Sequence, residues 1–392
     1  MMSETDFTLL EKLADREGSD AVLDRLMELL REHKAYHKLF DATLIRKKHS
    51  LDLPLSRPTS FDDVPEEHRK EVEDTYVEAA REIGKLFLAD GDIPSAWMYL
   101  QVIREPEPVA EAIDKLPVAS DYSEANEQVM QIALFERVHP LKGVKMMLRS
   151  HGMCNTITSL DQAMGNLSVE QRSECARHMV RELYHDLTES VRRQVQEKVP
   201  LIEPNASLRE LLRGRDWLLE GGNYHIDVSH LSSVVRFARS IEAGADELDL
   251  VLQLCDYGER LDPQLQYPGE PPFEDFYPAH RQFFHLLLDK DVDTSLDYFR
   301  KKLSDEPDEY DKPLLAYVLV DLLVRAKRLD EAVDVAAEHL TGLGNDVNFS
   351  FAELCVEAGR LDRLAEVMRD KNDIVGFTAA LLGTPSSATT PT

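Results

Sequence analysis

The chain has 392 residues, 43% of them hydrophobic, with 73 acidic against 45 basic side chains and a formal charge of -28. That apolar content supports a real core, while the charge argues against nucleic-acid binding and against anionic membrane surfaces, both of which need Lys and Arg to neutralise phosphates. With no secretory-type leader, no apolar run of about 18 residues, and only Cys154, Cys175, Cys255 and Cys355 as scattered thiols, a soluble cytoplasmic protein with reduced cysteines is expected.

In chain order, Leu9, Leu10 and Leu13, then Val22, Leu23, Leu26, Leu29 and Leu30, recur at helical spacing and predict an N-terminal helical pair over 1–52. Leu53 to Ser60, with two prolines, interrupts the pattern, and Asp62, Asp63 and Pro65 open the next helix. Residues 61–199 read as irregular helical repeats, with Pro106, Pro108 and Pro117 bracketing a short helix and a soft boundary at Pro200 to Pro204. A further repeat region spans 205–383. It begins with a helix expected at Arg213 to Glu220, ended by Gly221 and Gly222, and continues with Leu231, Val234, Val235 and Ala238 on one helical face. Within it, 261–279 carries five prolines and four aromatics and is expected as a loop. Leu314, Leu315, Val318, Leu319, Leu322 and Leu323 predict another helix, and 384–392 reads as a disordered tail. No segment alternates as a strand does, so the fold class is all-α, without a β-sheet.

One short pattern recurs: a polar or Gly residue, any residue, an aliphatic, usually Asp, any residue, and a small residue. It occurs as GDIPSA (91–96), YHIDVS (224–229), KDVDTS (290–295), KRLDEA (327–332) and GRLDRL (359–364), with Leu364 replacing the small residue in the last. The starts are separated by 133, 66, 37 and 32 residues, close to multiples of about 34. Turns of this kind at this period resemble those of tetratricopeptide repeats. The resemblance implies an α-solenoid of antiparallel helix pairs, with Ala96, Ser229, Ser295 and Ala332 letting the second helix approach the first. Asp227 then aligns with Asp293, Asp330 and Asp362, immediately before a helix, where a carboxylate caps free backbone N–H groups.

No P-loop, dinucleotide fingerprint, nucleophile elbow or HExxH motif is present. Three patterns carry possible chemistry. His151-x-x-Cys154 and Cys175-x-x-His178 stand as two ligand pairs at zinc-type spacing, or as two buried thiols and two surface or core histidines. GGNYHIDVSH (221–230) combines His225, Asp227 and His230, which read as a capped turn, a contact surface, or an acid/base or metal group. Arg236 and Arg239 share a helix face behind Asn223 and Tyr224, as a set suited to a carboxylate or an acidic peptide or as arginines that are solvated or paired to nearby acids. The aromatics Tyr267, Phe273, Phe276 and Tyr277, with His280, either pack back on the helices or offer a contact patch. Between Ile241 and Ala279, ten acidic residues accompany only Arg260, as a solvated face or one open to a basic partner.

The leading expectation is a noncatalytic scaffold that binds a protein or peptide on the concave face of a helical-repeat array. Its binding candidates are Asn223, Tyr224, His225, His230, Arg236 and Arg239. The alternatives are a zinc-containing or small-molecule-acting helical protein, with His151, Cys154, Cys175 and His178 as the metal ligands, and a structural assembly subunit.

Overall fold

A computed structural model of the chain describes residues 4–118, 123–199, 201–341 and 349–383, and among them there are helices, 3₁₀ segments and turns but no strand. The expected tail at 384–392 lies outside the described residues. Contacts divide the chain into two compact units, Met1–Leu167 and Ser168–Thr392.

The first unit holds α1 (Glu4–Glu17), α2 (Ser19–Glu32), α3 (Tyr36–Ser50), α4 (Glu66–Ala89), α5 (Ile93–Leu100), α6 (Glu107–Lys115), α7 (Glu124–Leu134) and α8 (Pro140–Met164). Consecutive helices pack against each other, and the periodic residues explain why. Leu23, Met27 and Leu30 of α2, Leu39 and Leu44 of α3, and Ile83 of α4 are buried, each side chain worth about 2 kcal/mol on removal from water. The prolines mark boundaries as expected: α4 starts after Pro65, and α6 lies between Pro106 and Pro117. The loop after α3 is held by Lys48, a fully buried lysine whose ammonium donates to the carbonyls of Arg57 and Ser60, each at 2.7 Å. Gly152, at a φ of 77°, breaks α8.

The second unit holds α9 (Val169–Lys198), α10 (Leu208–Leu212), α11 (Val228–Phe237), α12 (Glu247–Glu259), α13 (Phe276–Leu287), α14 (Val292–Asp305), α15 (Lys312–Arg325), α16 (Leu329–His339), α17 (Phe351–Glu357), α18 (Leu361–Asp370) and α19 (Ile374–Gly383). The long α9 is a spine against which α10, α11 and α12 pack. Its N-terminus is closed by a Ser168–Gln171 capping box. Residues 201–204 of the expected boundary fall inside this unit, where Arg192 donates to the carbonyls of Glu203 and, just beyond, of Ala206 at 3.0 Å each. From α13 onward consecutive helices pack in pairs.

The recurring hexapeptide lies at the turn between two packed helices in four of its five occurrences. Gly91, Lys327 and Gly359 take positive φ values of 81°, 59° and 69°, the left-handed conformation that ends the preceding helix. Ala96, Ser295 and Ala332 are fully buried, as a close approach of two helices requires. Asp293, Asp330 and Asp362, however, sit in the first turn of α14, α16 and α18 and not at the cap position. There they favour the positive helix end and accept arginines: Arg328 pairs with Asp293, and Arg360 with Asp330 at 3.4 Å. Each of these arginines comes from the next turn along the chain, so successive turns stand beside one another.

YHIDVS departs from this plan. α11 starts two residues later relative to the pattern, Asp227 is a true cap, and Ser229 is exposed. The helix expected over Arg213 to Glu220 is instead two 3₁₀ turns, Asp216–Leu218 and Glu220–Gly222. Gly214, at a φ of 67°, ends regular helix just after α10.

The acidic stretch 241–279 is largely neutralised by cations from outside it. Glu242 pairs with Arg177 at 2.9 Å, Asp249 with Lys290 at 3.0 Å, Asp256 with Arg209 at 3.0 Å and Glu259 with Arg281 at 2.7 Å. Glu247 is buried between Arg177 and Arg181. Burial pushes its carboxyl up, but backbone N–H groups and the two guanidinium groups hold it below the ordinary value. No helix among the described residues is long and apolar enough to cross a membrane.

Candidate functional site

The GGNYHIDVSH segment is fastened into the second unit at both ends. Asp227 caps α11, its Oδ1 accepting from the backbone N–H of Ser229 at 2.8 Å and of His230 at 3.4 Å. These bonds, led by the one from the Ser229 hydroxyl, hold its carboxyl below the usual range. Upstream, the His225 N–H donates to the Tyr257 hydroxyl at 2.8 Å, and Nδ1 lies 3.1 Å from the same oxygen. His225 Nε2 meets Gln194 Oε1, which also accepts from Asn223 Nδ2 at 3.1 Å. Counting donors fixes the tautomer: Nε2–H donates to the amide oxygen, so Nδ1 accepts from the tyrosine. His225 therefore ties the turn to α9 and to α12, and burial lowers its pKa. Its two ring nitrogens are committed to this network. Tyr224 is exposed and His230 half-buried.

Arg236 and Arg239 lie elsewhere. α11 has 10 residues, about 15 Å of helix, and the arginines are at or beyond its far end. With Arg236 and Arg239, the wall of a cavity of about 400 Å³ is formed by the loop from Tyr267 to Phe273, by Phe276 and His280 of α13, and by Leu314 and Val318 of α15. The loop can turn tightly because position 269 is glycine. A Cβ there would stand 1.7 Å from the Phe273 carbonyl oxygen, inside any allowed contact. The turn delivers Phe273 inward, where it is buried, stacks on His280 with centroids 4.3 Å apart, and lies under the Arg239 guanidinium at 4.8 Å.

Electrostatically this cavity is unlike the rest of an acidic protein. Arg239 is partly buried and has no carboxylate within ion-pairing distance among the described residues; its Nε donates to the Arg236 carbonyl at 3.4 Å. Asp321, which attracts it, is already held by Arg325 at 2.9 Å. Burial, followed by repulsion from Arg236, lowers the Arg239 pKa to about 10. His280 is buried to 1% exposure. Its Nδ1–H donates to the Phe276 carbonyl at 2.7 Å, while Nε2 has no hydrogen-bond partner among the described residues. Burial, then the neighbouring Arg239, takes its pKa down to about 3, so the imidazole is neutral. With Arg239 on one side and aromatic and aliphatic walls, the cavity is suited to an anionic group on an apolar body, which Glu270, exposed in the same lining, opposes in part.

The four expected zinc ligands fall in different surroundings. His151 and Cys154 belong to the first unit, where His151 Nε2 lies 2.7 Å from Glu127 and Cys154 is exposed. Cys175 and His178 belong to the second unit; Cys175 is fully buried, which pushes its thiol up to about 12, and His178 lies 3.9 Å from Glu182. Among the described residues no group of three or more His, Cys, Asp or Glu side chains stands close enough to hold a metal ion.

The sequence reading singled out the arginine pair and the aromatic loop separately. What it missed is that the loop closes over the arginines and that Leu314 and Val318 complete the wall. The available signal was Gly269 followed by two prolines, a combination that forces a compact reversal. No protein-family model matches the chain, and comparison with curated proteins and with solved structures finds no match.

Proposed function

We propose that this chain is a noncatalytic helical-repeat protein, a diverged tetratricopeptide-like solenoid, whose second unit binds a protein or peptide partner beside the arginine-lined cavity. The repeat reading is supported by the paired helices from α13 to α18 and by arginines that bridge consecutive turns. The observation that carries the binding reading is the exposed edge of α15: Leu314 and Tyr317 are 46% and 38% exposed, one turn apart, and Leu314 borders the cavity containing Arg236 and Arg239. Exposed aromatic and aliphatic side chains next to partly buried arginine form the composition of an interface anchor. On and beside α15, Asp321 pairs with Arg325, and Arg300 of α14 pairs with Glu331 of α16.

The test is a fluorescence-polarisation screen of the full chain against peptides combining an acidic residue with apolar neighbours. Saturable binding weakened by Leu314→Ala and Tyr317→Ala supports the reading. Binding indifferent to both substitutions, or none at millimolar peptide, sinks it. Self-association is a second reading, favoured by α19, where Ile374, Val375 and Leu382 are 77%, 77% and 82% exposed. Light scattering of the Ile374→Lys variant beside the parent chain distinguishes the two.

A further inference from the structure

We infer that the cavity between α11, the 267–273 loop, α13 and α15 is a binding site for a small organic monocarboxylate with a flat or branched apolar body. This goes beyond partner binding on the α15 edge, with which it shares Leu314, and the hexapeptide comparator below separates the two.

Three observations carry the inference. The first is an unmet charge. Arg239 is partly buried with no carboxylate partner among the described residues, beside a second guanidinium. Holding a cation away from water without an anion is costly, and an anion seated against Arg239 relieves that desolvation. The second is size. A volume of about 400 Å³ lies in the range of small-ligand sites, and the short arm of an Asp or Glu side chain entering from a passing peptide would leave most of the wall in contact with water. The third is the character of the wall. Phe273, Phe276, Leu314 and Val318 are apolar, so the remainder of the ligand is apolar too.

Charge decides between carboxylate and phosphate. Glu270 belongs to the same lining and is exposed, so a dianion would meet a like charge in the same cavity. A planar monoanion matches the fork of a guanidinium and brings half the charge of a dianion against Glu270. Phe273, stacked on His280 and lying beneath Arg239, offers a flat face for the apolar body.

The experiment is isothermal titration of the full chain with phenylacetate and 4-methylpentanoate, with phenylacetamide, phenyl phosphate and an acidic hexapeptide as comparators. Three variants accompany the parent: Arg239→Met, Val318→Trp to fill the cavity, and Arg209→Met as a surface control, each checked for folding by thermal melt. The expected result is saturable binding of at least one carboxylate, weakened about tenfold or more by Arg239→Met and by Val318→Trp and unchanged by Arg209→Met, with phenylacetamide about tenfold weaker or undetectable. Failure of both carboxylates to bind at millimolar concentration overturns the inference, as does tighter binding of phenyl phosphate. Binding of the hexapeptide alone overturns it while leaving the partner-binding reading intact.

Discussion

Replacing Arg239 by Met should stabilise the ligand-free protein. A guanidinium brought down to about 10 has lost about 3 kcal/mol of the stabilisation that its charged form enjoys in water, at about 1.4 kcal/mol per pH unit. Its position over Phe273 returns about 1 kcal/mol, and Met keeps most of the contact because a thioether packs well against an aromatic ring. A net gain of about 1 to 2 kcal/mol is expected, seen as a higher urea midpoint or a melting temperature raised by about 2 to 4 °C per kcal/mol. The pH dependence follows from the sign of the displacement. The folded-state pKa is depressed, so the unfolded chain binds the extra proton between about 10 and the ordinary guanidinium value; the penalty is fully present below that window and fades as pH rises through it. Parent and variant should therefore differ by a constant amount from pH 6 to 9. A loss of 1 kcal/mol or more in the variant would show that Arg239 is well satisfied in the free protein, and the argument for an anion site would lose its first support.

His280, with its pKa taken down to about 3 by burial and by Arg239, makes the protein acid-sensitive. The unfolded imidazole takes up a proton near 6.5 and the folded one does not, so stability should fall by about 2 kcal/mol between pH 6.5 and 5, and His280→Phe should flatten that slope in urea titrations; an unchanged slope would contradict the assignment. Gly258→Ala should cost about 2 kcal/mol or more, because its new Cβ would stand 2.3 Å from the buried Tyr277 ring; a variant as stable as the parent would mean that α12 and α13 pack less closely. Glu247→Gln should cost about 2 kcal/mol by leaving Arg177 and Arg181 without their shared buried carboxylate, checked by thermal melt against Asp249→Asn at a more exposed pair. Elemental analysis of protein purified without chelator should find no stoichiometric zinc, since burial favours the neutral Cys175 thiol; one zinc per chain, lost in Cys175→Ala, would restore the metal reading.

Helices were legible because burial writes a period into sequence. Leu231, Val234, Val235 and Ala238 are all fully buried on one side of α11 and of the turn that follows it. Helix ends were legible where Gly or Pro forces a conformation, as at Pro65 and Gly359. The segment 213–220 was misread because short apolar runs such as Trp217, Leu218 and Leu219 do not distinguish a helix from 3₁₀ turns, and Gly214 decided the outcome. Asp293, Asp330 and Asp362 could not be separated from true caps by composition alone: Asp is favourable at both the cap and the first turn, and only helix geometry tells them apart. The acidic stretch 241–279 looked unbalanced because its arginine and lysine partners come from α9, α10, α13, α14 and the loop after α13. The cavity was hidden for the same reason, since Arg239, Phe273 and Val318 meet across almost eighty positions of chain.

The most direct test of the anionic-ligand site is hydrogen–deuterium exchange of the full chain with and without saturating phenylacetate. Slowed exchange confined to the end of α11, the 267–280 segment and the first turns of α15 is the expected outcome. No change there, or protection elsewhere in the chain, would contradict the assignment of the cavity as the binding site.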